Sequence, residues 1–137
     1  GCIHVAQPLE QAWEEGEEKL DRLVHAYNMM FAAVYDSLFQ GSGETAQDIM
    51  VRAIRDVAPQ YPELYKNVCV DASGRVDVSQ FYQNLLACAT ANRYALTMAA
   101  LNELLYNLLF VVRRELGGEA EKTLSGKIRR MKEELAP

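Results

Sequence analysis

Apolar residues recur along this chain at steps of three and four, the period of helices that bury one face. In the first third, Trp13, Leu20, Tyr27 and Val34 repeat at heptad spacing, and Leu23, Met30 (with Phe31) and Leu38 fill the complementary positions. Such an interleaved seam is the pattern of helices packed nearly parallel or antiparallel to their neighbours. It predicts a first helix from about Pro8, a residue suited to a first helical position, to about Phe39. Gly41-Ser42-Gly43 ends it, and Glu14, Glu15, Glu17 and Glu18 crowd its early turns, where the helix dipole favours negative charge. A second helix is predicted over 44–57, with Ile49, Met50, Ala53, Ile54 and Val57 as its stripe. The prolines at 59 and 62 break it, and Pro62 opens a short helical turn through Tyr65.

Residues 78–116 contain neither glycine nor proline, and they read as one continuous helix. Its length would be about 58 Å. Asp77 and Gln80 form a capping pair at its start, and Gly117-Gly118 end it after Arg113 and Arg114. A last helix is predicted over about 119–135 on the stripe Leu124, Ile128, Met131 and Leu135. The one departure from helical period is 68–77, where valines alternate about a turn-forming centre and read as a miniature hairpin. Such a hairpin is marginal alone and has to lie against the helices. The expected fold is therefore all-α: an antiparallel four-helix bundle with two long helices and a small extended excursion around 68–77. One domain covers 8–137, preceded at 1–7 by a disordered tail or expression remnant. Up-down-up-down order brings the early glutamates towards Arg129, Arg130 and Lys132.

Composition narrows the partners. The 137 residues carry a net charge of −5 and are 50% hydrophobic, an ordinary globular balance. An acidic chain whose main basic cluster runs straight into Glu133 and Glu134 is not built to neutralise phosphates, so no nucleic-acid partner is expected. The three cysteines (Cys2, Cys69 and Cys88) are widely spaced, which argues against a disulfide framework and a zinc site. Reduced thiols and a cytoplasmic location follow. Residues 94–112 approach the length of a membrane span, but Glu103 at the centre costs about 2.5–3.5 kcal/mol on insertion. Thr97, Asn102 and Asn107 add to that cost, so no span is expected.

The candidate chemistry is sparse. Setting Gly74 at the glycine of a calcium loop places Cys69 first and Gln80 last, where carboxylates are required, so a tight turn with a helix cap explains the segment better. No Glu-x-x-His pair, haem-attachment motif or Gly-rich phosphate loop occurs, and neither metal nor cofactor nor catalytic residue is expected. His25 is the candidate for histidine phosphotransfer, although no acidic residue follows it directly. Asn102, Glu103, Tyr106 and Asn107 share one side of the long helix and interrupt its apolar surface. With Tyr27 and Phe31 they form the candidate interaction or ligand patch. The expected function is a noncatalytic helical regulatory or protein-interaction module of the signalling type, self-associating as a homodimer or engaging a partner protein through helix faces. The alternative is a small-molecule or haem-binding sensor, its pocket lined by Tyr27, Met30, Phe31, Met98 and Tyr106. Phosphotransfer through His25 is the third reading.

Overall fold

The described residues are mostly helical, an all-α fold. In the computed structural model, residues 2–42, 45–71, 75–88 and 92–135 are described, with side chains over 18–40, 46–71, 75–88 and 92–135. The described residues form six α-helices rather than the four expected: α1 (Cys2–Ser42), α2 (Thr45–Val57), α3 (Pro62–Tyr65), α4 (Val78–Ala87), α5 (Arg93–Leu116) and α6 (Gly118–Leu135). A 3₁₀ turn, Ala58–Gln60, joins α2 to α3 where the prolines interrupt the pattern. α1 begins before Pro8 and continues past Phe39. The early glutamates 14, 15 and 17, like Trp13, have side chains outside those described, so their expected proximity to the α6 cations is not part of this picture.

The continuous helix expected over 78–116 is two helices. Cys88 leaves the helix in an extended conformation (φ −74°, ψ 127°), and α5 starts afresh after Asn92. Two side chains stabilise the break by bonding to backbone groups that a helix end leaves unpaired. The carbonyl oxygen of the Asn92 side chain accepts from the amide of Ala95 at 3.3 Å, an N-cap. Arg93 donates through Nη2 to the carbonyls of Leu86 (3.1 Å) and Cys88 (3.3 Å) at the end of α4. Absence of glycine and proline did not secure continuity, because an asparagine and an arginine offer the backbone an alternative set of partners.

Other expected boundaries hold. Asp77 accepts from the amide of Gln80 at 3.1 Å and caps α4, while the Gln80 side chain turns instead to Asn84 at 2.9 Å. Gly117 ends α5 with φ +95°, and its amide donates to Arg113 O at 3.0 Å. An L side chain is strained in that conformation. The 68–77 segment forms a single antiparallel bridge, Val70 to Val76, with no strand among the described residues. Beside it, Asp71 accepts from the Arg75 amide at 3.0 Å.

α5 sits at the centre of the packing. It contacts α1, α2 and α6, while α1 also contacts α2, α4 and α6. Its residues Ala100, Leu101, Leu104, Leu105, Leu108 and Val112 are fully buried against Leu23, Met30, Phe31, Val34 and Leu38 of α1 and the apolar stripes of α2 and α6. The α3–α4 segment is tied to this core by Tyr65, whose hydroxyl donates to Ala100 O at 2.7 Å and whose ring meets Phe81 edge-on at 5.4 Å. Asn84 secures the segment from the other side by donating to the carbonyls of Leu64 (2.8 Å) and Lys66 (2.7 Å).

One defect stands out in this core. Thr97 is 0% exposed, and among the described residues its hydroxyl has no hydrogen-bond partner. An unpaired buried hydroxyl loses its hydration without replacement. Thr97→Val keeps the shape and removes the polar atom, so it is expected to raise the unfolding free energy by about 1 kcal/mol. A urea midpoint that moves down instead would show that the hydroxyl is paired.

Candidate functional site

The predicted patch is divided by the fold between two environments. Asn102, on α5, faces inward to α1 and α6. Its side-chain oxygen Oδ1 accepts from the hydroxyl of Tyr27 on α1 and from Nζ of Lys132 on α6, the latter at 2.9 Å. The ammonium of Lys132 also stands 5.9 Å from the Tyr27 ring centroid and 5.2 Å from that of Tyr106, within range of cation–π attraction. One amide oxygen therefore ties three helices together, with the lysine held among two aromatic rings. Tyr27 is 1% exposed, and burial pushes its hydroxyl pKa up to about 12, with Tyr106 and Tyr94 adding and the Asn102 bond opposing. Burial likewise raises Tyr65, the other tyrosine of the core. Phe31 packs beside Tyr27 with ring centroids 6.1 Å apart and is itself buried.

Lys132, expected near the early glutamates of α1, is half-buried against Asn102 and the two rings. Its position four residues after Ile128 and one after Met131 puts it at the border of the α6 apolar stripe, the signal that was passed over. Asn84 and Arg93 were missed for a different reason: their partners are backbone carbonyls, which no side-chain pattern marks.

The rest of the patch lies nearer the surface, with the Tyr106 ring still meeting Lys132 of the node. Glu103 and Tyr106 are exposed, and Asn107 lines a groove between α2 and α5 with Arg52, Asp56, Phe110 and Arg114. Phe110, outside the predicted patch, is 64% exposed and Tyr106 is 58% exposed. Together with Ala99, Glu103 and Arg113 they occupy one outward seam of α5, at alternating steps of four and three residues. Those steps are the spacing of a helix-pairing seam. Among the described residues neither Glu103 nor Arg113 makes an ion pair.

The pocket expected around Tyr27, Met30, Phe31, Met98 and Tyr106 is not one lining. Met30 and Phe31 are core, Met98 is half-buried, and Tyr106 is on the surface. His25 is exposed, at the edge of a groove of about 290 Å³ between α1 and α6 whose walls include Asp21, Arg22, Met29, Met131, Glu134 and Leu135. Among the described residues no cluster of three or more His, Cys, Asp or Glu is placed to hold a metal ion. Cys69 and Cys88 are free thiols, and burial together with the Glu63 carboxylate, which accepts from Cys88 Sγ at 3.7 Å, raises the Cys88 pKa.

No protein-family model matches the chain, and neither does any curated protein or solved structure.

Two outcomes follow from the Asn102 node. Asn102→Leu leaves the buried Tyr27 hydroxyl and the Lys132 ammonium without their shared acceptor, and is expected to cost about 1–3 kcal/mol in denaturant unfolding. The raised Tyr27 pKa sets a pH dependence. Below the ordinary tyrosine value of 10.0 the hydroxyl is protonated in both states; as pH rises from there through about 12, the unfolded chain releases the proton first. Stability therefore falls over that window, and Tyr27→Phe should flatten part of the fall when urea midpoints are compared on either side of pH 10.

Proposed function

We propose that the chain is a noncatalytic helical protein-interaction module, of the regulatory or signalling kind, that associates with a second copy of itself through the outward face of α5. The observation that carries this reading is the pair Tyr106 and Phe110, adjacent on one helix face and 58% and 64% exposed. Single exposed apolar residues are ordinary, whereas adjacent large aromatics on a helix-pairing seam mark contact surfaces. Tyrosine and phenylalanine are both enriched where such surfaces close.

The architecture proposed with it is an antiparallel bundle of α1, α2, α5 and α6, with α3, α4 and the Val70–Val76 bridge packed at one side. Supporting it, Asp21–Met29 of α1 adjoin Met131–Leu135 of α6, whereas Ser37 and Gln40 adjoin Leu116, Ala120 and Lys127. That pairing of ends is what an antiparallel α1–α6 pair would give. α5 is long and apolar enough to cross a membrane by length and composition, with half of the qualifying window buried. We read it as the core helix of a cytoplasmic domain, because its leucines are spent on α1, α2 and α6. A second reading, an apolar small molecule in the α1–α6 groove, is favoured by Met29, 53% exposed beside Met131 and Leu135.

Burying a phenylalanine is worth about 1.5–3 kcal/mol, and a two-fold interface buries it twice. Phe110→Glu is therefore expected to weaken self-association by at least about a hundredfold in sedimentation equilibrium. A wild-type chain that stays monomeric across a tenfold range of concentration removes the reading.

A further inference from the structure

The outward seam of α5 is self-complementary about its own midpoint. Tyr106 and Phe110 lie symmetrically about position 108, and so do Glu103 and Arg113. Two α5 helices laid antiparallel across that point set Tyr106 of each copy against Phe110 of the other. The same register sets each Glu103 against the second copy's Arg113. Ala99, at one end of the seam, then meets the Gly117 end of the second copy, where a methyl group faces a residue without a side chain and nothing holds the helices apart. A parallel arrangement does the reverse: it stacks Glu103 on Glu103 and Arg113 on Arg113, placing like charges together at both ends.

We propose, building on the self-association reading above, that the chain pairs with a second copy as an antiparallel two-fold dimer of α5 helices, closed by Tyr106–Phe110 contacts and by reciprocal Glu103–Arg113 ion pairs. The partner is chosen by charge. The seam offers one carboxylate and one guanidinium at equal distances from its aromatic centre, neither engaged by an ion pair among the described residues. A two-fold axis requires that a residue's partner be partnered by it in return, and this seam meets that condition with unlike charges at both ends. An acidic or a basic peptide would satisfy only one end of it. A bilayer surface would leave both charges to be desolvated beside the aromatics.

Charge reversal separates the alternatives. Glu103→Arg alone sets four cations into the interface, and Arg113→Glu alone sets four carboxylates. Each single variant is expected to weaken dimerisation by about tenfold or more at low salt. The double variant E103R/R113E restores it. Mixing the two single variants in equal amounts also restores it, because one copy of the mixed pair then presents only cations along the seam and the other only carboxylates. Light scattering reads the association, and circular dichroism confirms that each variant keeps the wild-type helix content. If wild type dimerises and Phe110→Glu abolishes the dimer, but the single reversals leave affinity unchanged or the mixture fails to rescue it, the antiparallel arrangement is wrong while self-association through α5 stands. If wild type is monomeric, or binds phosphatidylcholine vesicles as a monomer through Phe110, both are wrong.

Discussion

One amide oxygen fixes how the central helix sits. Asn102 Oδ1 takes a hydroxyl from α1 and an ammonium from α6, and turning α5 about its axis would carry it away from both donors. Apolar packing alone is permissive about such rotations, since leucine faces of similar width interchange at modest cost. A polar group placed in an apolar interface is not permissive, because every wrong arrangement strands a donor or acceptor. We see the node as the device that selects one register from several that the leucines would accept. Its net contribution to stability is smaller than that selective role, as is usual for buried polar contacts.

Once that rotation is set, the rest of α5 is assigned. Leu101, Leu104, Leu105, Leu108 and Val112 become core, and Ala99, Glu103, Tyr106, Phe110 and Arg113 become the outward seam. Tyr106 belongs to both sides: its ring receives the Lys132 ammonium while more than half of the residue remains exposed. The lysine thereby links the interior node to the outward seam. A change at the seam that displaced Tyr106 would alter what holds Lys132 as well.

Much of this was legible from spacing. The heptad seam of α1, the stripes of α2 and α6, the Asp77 cap and the Gly117 stop all follow from periodicity and cap chemistry, which act over a few residues. The division of residues 78–116 into α4 and α5 was not, because it depends on Arg93 finding carbonyls that exist only when the helix has already ended. The polar interruption of the apolar surface was visible in the sequence, and the structure pairs one of its members, Asn102, with Tyr27. Its division into an inward Asn102 and an outward Glu103 and Tyr106 needed the positions of α1 and α6. Phe110 escaped notice because, in a helix apolar on most sides, hydrophobicity does not say which aromatic is left outside.

The pairing of α5 with a second α5 is best tested by looking for the contact itself. In a dimer assembled from isotope-labelled and unlabelled copies, isotope-filtered nuclear Overhauser spectra report only contacts between copies. The account predicts cross-peaks between the Tyr106 ring of one copy and the Phe110 ring of the other. Cross-peaks joining Tyr106 to Tyr106, or a dimer with no contact between copies at either ring, would contradict it.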